Sequence, residues 1–292
     1  MKLATIAWDE SSSAALLVGD QFAPVRQLPG RDNALDVLPL IVRPLTDDEV
    51  RELQRLPLLP LPATGWLPPI LYPPKNIFCI GRNYLEHLKD SSRAEGKKIE
   101  PPKFPIWFTK AANALVGHGG AIEHDPAFTQ QLDYEGELAV IIGRNCRRVP
   151  PQRALDCVFG YTVLNDVSAR DVQLRHQQWF RGKSADSYAP CGPWIATADE
   201  IGDPQTLQLR TLVNGEQRQR DTTANMIFDI RAQIADLSAG ITLEPGDIIA
   251  TGTPMGVGAG MEPPRYLKDG DEVTVEIDRI GRLANRVAPP RR

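Results

Sequence analysis

The sequence predicts an α+β, mainly β protein, and two observations carry that reading. Short β-rich runs ("NIFCIG", "ELAVIIG", "CVFGYTVLND", "GPWIAT", "LQLRTLVNG", "DIIATGT", "DEVTVEID") recur without alternating regularly with long helices. Helical spacing is scarce, notably in "TDDEVRELQRL" and in stretches near residues 168–178 and 226–238. With 292 residues, 42% of them hydrophobic, the chain can bury one large core or a small domain beside a larger one.

Taken in order, residues 1 to about 45 read as short strands such as "LATIAW" and "AALLVGD" broken by Gly, Pro and Asp turns, the pattern of a small β unit. "RLPLLPLPATGWLPPILYPPK" then carries prolines that can continue neither a helix nor a central strand, so it reads as an extended connector. We place a boundary there, giving a small N-terminal β domain over 1–65 and a larger domain over 66–292. No solenoid-length repeat is present.

Net charge is −4, with basic residues scattered among acids, so the footprint of a nucleic-acid or anionic-membrane partner is missing. Cys79, Cys146, Cys157 and Cys191 stand far apart and are expected as separate core thiols in a reducing compartment. The start "MKLATIAWDESSS" meets acids before a signal-like apolar region develops, and no window approaches the ~20 apolar residues of a membrane span. The expected location is the cytoplasm.

"QQLDYEGELAVIIG" concentrates the chemistry. Residues two apart on a strand share a face, so Glu135 and Glu137 project together, with Asp133 next in line. Two carboxylates ~4 Å apart repel by about 4 kcal/mol at an effective dielectric near 20, which calls for a proton, a basic partner or a metal. A lone E-x-E is more often a solvated strand face. Here the following "LAVII" is apolar on both faces, and "FGYTVLND" delivers Asp166 at the end of a second apolar run. Three carboxylates without cysteine or histidine suit a hard cation such as Mg2+, Mn2+ or Ca2+.

Ser168 and Asp171 form an S-x-x-D helix-capping pattern that sets Arg170 and Gln173 on one side of a first turn. Lys183, in a Gly-Lys-Ser turn, can neutralise acids or hold an anion. That turn lacks the upstream glycine and following helix of a phosphate loop. "GTPMGVGAGMEPP" likewise lacks dinucleotide spacing; its glycines would let backbone approach an active centre. In "NYLEHLKD", a helix capped near Asn83 would bring His87 and Asp90 together, giving an imidazole with a carboxylate partner. "KDSSRAEGKKIEPPKFP" has the composition of a mobile lid. His118, His124 and His176 read as surface or structural residues.

The motifs "IGRNYLEHLKD", "DYEGELAVIIG", "GYTVLNDVSARDVQ", "RGKSADSYAPCGPW", "VNGEQRQ" and "TLEPGDIIATGTPMGVG", in this order, resemble the fumarylacetoacetate hydrolase superfamily over roughly residues 74–287. The resemblance implies a mixed β-roll fold preceded by a small β domain, and a homodimer. It also implies a Mg2+ or Mn2+ site formed by Glu135, Glu137 and Asp166. Substrate contacts are implied for Arg170, Gln173, Lys183 and Thr253, and a catalytic role for His87 with Asp90. Family members usually carry glutamate where Asp90 stands, so the partner is one methylene shorter, and Glu86 or a water could take its part.

The activity so implied is hydrolysis of a carbon–carbon bond in a β-diketo acid of acylpyruvate, fumarylpyruvate or fumarylacetoacetate type. His87 would activate water, Lys183 and its neighbours would hold the substrate, and the ion would stabilise the enolate that leaves. Oxaloacetate decarboxylation and diene-dioate isomerisation use the same enolate and remain open. A non-catalytic metal-binding protein is the reading from another class; assays with small 2-oxo acids separate it from the enzymes.

Overall fold

The computed structural model describes residues 1–290. Its backbone is a mixed sheet whose strands run, edge to edge, Leu59–Pro60, Gln21–Pro24, Ser11–Val18, Lys2–Trp8, Ala189–Thr197, Val158–Asn165, Gly136–Ile142, Ile248–Ala250, Ile77–Gly81 and Ile106–Lys110. A second sheet of five strands runs Glu216–Thr222, Gln208–Val213, Glu272–Ile277, Gly281–Ala288 and Ala121–Glu123. The expected mainly β, mixed-sheet class is what the chain adopts. No helix among the described residues is long and apolar enough to cross a membrane.

The N-terminal strands join the large sheet. Lys2–Trp8 pairs antiparallel with Ala189–Thr197, from Lys2↔Ala196 to Ala4↔Trp194. Leu3, Leu16 and Val25 share one core with Ile77, Ile141 and Ile195. A second core lies under the other face, where Leu138, Val140 and Tyr161 meet Ile230, Ile234 and Leu237 of the helix Ile230–Gly240 and Val275 of the smaller sheet. Asp229 starts that helix by accepting from Ala232 N–H at 2.7 Å.

Gly136–Ile142 is buried at every residue because it is central in the sheet and covered on both faces, which is why its sequence is apolar without alternation. It pairs antiparallel with Val158–Asn165, Gly136 opposite Asn165 and Glu137 opposite Leu164. The same register resumes beyond a break in the short pair Leu132–Asp133 and Ser168–Ala169, Asp133 opposite Ser168. Glu135 and Asp166 therefore face each other across the break, joined by Asp166 N–H to Glu135 C=O at 2.8 Å.

The expectation of four separate thiols is corrected. Gly143 N–H donates to Cys157 C=O at 2.7 Å and folds the intervening loop back on itself. This brings Cys146 against Cys157 as a disulfide, with Cα atoms 6.5 Å apart; Cys79 and Cys191 are free and buried.

One ion pair locks the N-terminal segment. Thr46 and Glu49 form a capping box at the start of the helix Asp47–Arg55. Glu49 also receives the buried Arg31 guanidinium at 2.8 and 2.7 Å. The hydrogen bond from Arg31 holds the Glu49 carboxyl down at about 2. That is below its unfolded value of about 4.3, so the pair's contribution is present above the unfolded value and lost as pH falls through the folded one. Glu49→Gln is therefore expected to flatten the acid limb of thermal melts across that window. At neutral pH it should cost about 1–2 kcal/mol through the weakened bonds to Arg31.

Candidate metal centre and active-site cleft

The break in the strand pair is where the acids gather. One carboxylate oxygen from each of Glu135, Glu137 and Asp166 lies within 4.8 Å of the others, and all three residues are buried. Gly136 between the two glutamates faces the other way, against the smaller sheet. A Cβ there would sit 2.2 Å from Thr211 Oγ1, so the glycine lets the two sheets close and turns both glutamates into the cleft.

The cations are shared unevenly among the acids. Lys183 Nζ bridges Glu135 and Asp166 at 2.8 Å each. Arg170 donates to Glu135 Oε1 from Nη1 at 2.6 Å and to Asp133 Oδ2 from Nε at 2.8 Å. Burial alone would raise the Glu135 carboxyl, but Lys183 and Arg170 outweigh it and hold it below the usual range. Burial would also lower Lys183, and Asp166 and Glu135 reverse that. Among the described residues Glu137 has no cation partner, and its Oε2 accepts Gly252 N–H at 2.8 Å. Burial first, then the charges of Asp166 and Glu135, push its carboxyl well above the usual range. A buried, cation-poor carboxylate beside two others, all oxygen donors, fits a hard divalent ion.

Lys110, at the end of the strand Ile106–Lys110, was not singled out in the sequence. It is fully buried and donates to Asp166 Oδ1 at 2.6 Å and to Val167 C=O at 3.1 Å. Burial lowers its pKa more than Asp166 raises it. Its only signal is a lysine closing an otherwise apolar "IWFTK". Asp133 is not part of the acidic trio. Besides Arg170 it accepts Gly258 N–H at 2.8 Å and Ala259 N–H at 3.0 Å, pinning the glycine-rich loop. Gln219 was also missed; it accepts Gly136 N–H at 3.0 Å and donates to Thr253 Oγ1 at 2.8 Å. Thr253 lines the cleft while its hydroxyl donates to Gly136 C=O at 3.0 Å.

Two capping expectations are corrected. Ser168 sits in a short strand, its hydroxyl donating to Asp166 C=O at 3.0 Å, and Asp171 accepts Gln130 N–H at 3.1 Å, so neither forms a capping box. Asn83 does not cap the helix His87–Glu95. Its amide instead bonds Thr251 C=O and the backbone of Phe228, tying the strand end to the neighbouring loops. Arg170 and Gln173 do meet, at 3.2 Å, and both line the cleft.

His87 lies on the first turn of that helix, is 7% exposed and lines the same cleft. Its Nδ1 is buried without a hydrogen-bond partner and stands 3.7 Å from Asp90 Oδ2, beyond bonding distance. Asp90 Oδ2 accepts Gly256 N–H at 2.6 Å and Val257 N–H at 3.3 Å. The shorter acid is thus turned toward the glycine-rich loop, and His87 rests beside it. The segment after Asp90 is helical to Glu95 and ends at Gly96 in the left-handed region; residues 98–105 lie outside helices and strands. Of the other histidines, His118 Nδ1 accepts Ala284 N–H at 3.0 Å and His124 pairs with Asp269 at 2.9 Å, both away from the cleft.

Comparison with known proteins gives consistent findings. A family model described as fumarylacetoacetate (FAA) hydrolase, C-terminal, matches residues 76–288. Oxaloacetate tautomerase YisK of Bacillus subtilis is 48% identical over 219 residues, covering 75% of this chain and 71% of that one. Fumarylacetoacetate hydrolase of the psychrophile Exiguobacterium antarcticum superposes with a TM-score of 0.86 at 42% identity, over 99% of this chain and 100% of its own. Maleylpyruvate hydrolase of Sphingobium sp. SYK-6, solved with manganese(II) and pyruvate, superposes with a TM-score of 0.80 at 31% identity over the whole of both chains.

Proposed function

The chain belongs to the fumarylacetoacetate hydrolase family, and from that premise we propose that it is a Mg2+- or Mn2+-dependent enzyme that enolises a small 2-oxo acid, with keto–enol interconversion of oxaloacetate as its leading reaction. The observation that carries the reading is the buried trio Glu135, Glu137 and Asp166, in which Glu137 has no cationic partner of its own among the described residues. Ca2+ satisfies the same oxygen donors. When bound, the ion would supply Lewis acidity toward the carboxylate and keto oxygens of the substrate.

The chain's own residues supply the rest. Arg170 Nη2 is buried without an acceptor and offers its N–H to a substrate oxygen, with Gln173 and Lys183 beside it. Phe108 and Trp179, 5.4 Å apart and edge to face, form an apolar wall that limits water. His87 is the base. It takes the proton from C3 of the oxo acid and returns one to the C2 oxygen, so neither water nor a redox partner is consumed. A single imidazole suffices for this transfer, in keeping with an Asp90 that is engaged by the loop. The 48% identity to an oxaloacetate tautomerase supports the same reading.

A second reading is hydrolysis of a β-diketo acid such as an acylpyruvate or fumarylpyruvate. It draws on the likeness to a maleylpyruvate hydrolase solved with pyruvate. There His87 would take a proton from water as the water's oxygen adds to the distal ketone. The carbon–carbon bond then breaks to a carboxylic acid and the enol of the 2-oxo acid. The discriminating experiment incubates the Mn2+-loaded protein with oxaloacetate, acetylpyruvate and fumarylpyruvate. The leading reading expects accelerated decay of the oxaloacetate enol without loss of total oxaloacetate. Faster cleavage of the diketo acids would favour the second reading, and no turnover of any of them would remove both. A homodimer is part of the proposal; sedimentation of the purified chain tests it.

A further inference from the structure

We propose that Arg82 is the receptor for a second, distal carboxylate, so that the preferred substrates are 2-oxo diacids. The proposal rests on the functional reading above and adds the residue that sets a preference for diacids. Arg82 follows the strand Ile77–Gly81 and lines the same cleft as the acidic trio. Its φ is +58°, a left-handed conformation that a bulky side chain adopts only when its surroundings impose it. The next residue, Asn83, is fixed by bonds to Thr251 and Phe228.

The cleft is shaped to aim this side chain. Trp179 packs on Gly81 so closely that a Cβ there would lie 2.4 Å from the indole ring. The indole then supports the Arg82 guanidinium, 5.5 Å from the ring centroid. Of the other two cations that line the cleft beside the acids, Lys183 is engaged by Glu135 and Asp166, and Arg170 by Glu135 and Asp133, which leaves Arg170 Nη2 free close to the acids. Among the described residues Arg82 pairs only with Glu95, at the last turn of the helix that carries His87, and Glu95 has a second cation in Lys97 at 3.1 Å. A substrate carboxylate can therefore replace Glu95 on the guanidinium while Glu95 keeps a partner. Planar, bidentate recognition of a carboxylate is the task to which arginine is suited.

The test is binding to the Mn2+-loaded protein by calorimetry, comparing oxaloacetate, which has two carboxylates, with pyruvate, which has one. Wild type should bind oxaloacetate more tightly. Arg82→Gln should weaken oxaloacetate roughly 10- to 100-fold and leave pyruvate unchanged. Arg82→Lys should recover part of the loss. Arg82→Gly relieves the left-handed backbone, so it should fold at least as well and still lose the preference, which separates a receptor from a structural latch. A wild-type protein without a diacid preference, or an Arg82→Gln variant that loses both ligands equally, would overturn the proposal. Because binding is read without turnover, failure of the enolisation chemistry shows up separately, as bound oxaloacetate that is not converted.

Discussion

Glu137→Gln is expected to lose divalent-ion binding and turnover together while the apo fold survives. Glutamine keeps the shape of the side chain, and its amide can still accept Gly252 N–H, but it removes the carboxylate that no cation neutralises. Loss of a direct ligand should exceed the roughly 10–100-fold that changes to outer-shell partners cost in metal affinity. The sign of the pH dependence follows from the raised carboxyl. A glutamic acid whose folded pKa lies above its unfolded value stabilises the apo protein below the unfolded value, and that contribution is lost as pH rises through the folded one. Apo melting temperatures should therefore fall over that range in wild type and fall less in Glu137→Gln. Metal affinity should rise over the same range, because ion and proton compete for one carboxylate. Differential scanning fluorimetry of the apo protein and calorimetric Mn2+ titrations at several pH values provide both readouts.

His87→Ala is expected to reduce kcat by about 10^2- to 10^4-fold, the usual contribution of a positioned proton-transfer group, and to leave Mn2+ affinity unchanged. The imidazole lines the cleft, and its Nδ1 is not held by a protein acceptor. Nothing in the acidic trio leans on it through a hydrogen bond, so the two variants should separate cleanly: one loses the ion, the other only the proton transfer. Full turnover in His87→Ala would place the base elsewhere in the cleft.

How the acids would converge was legible because the argument is geometric. Alternation put Glu135 and Glu137 on one face, and a second apolar run ended at Asp166; the register that opposes Gly136 to Asn165 brings Asp166 beside Glu135. Asp133 escaped the pattern because the ladder breaks at Tyr134 and Glu135, and beyond the break its side chain meets backbone N–H groups of the glycine-rich loop. Lys110 was illegible for a different reason: a lysine at a strand end is ordinarily exposed, and only the long-range contact with Asp166 explains its burial. The caps assigned to Asn83 and Ser168 failed because local patterns compete with tertiary partners, here Thr251, Phe228 and the strand at Asp133. The pairing of Lys2–Trp8 with Ala189–Thr197 spans most of the chain and leaves no local mark in either segment.

The central claim is that Glu135, Glu137 and Asp166 hold one divalent ion on which the enolisation of a 2-oxo acid depends. Anomalous diffraction from crystals soaked in Mn2+ reads it most directly. The account predicts a single strong peak bonded to one oxygen from each of the three carboxylates. A map at saturating Mn2+ with no peak among them, while Lys183 still bridges Glu135 and Asp166, would contradict it.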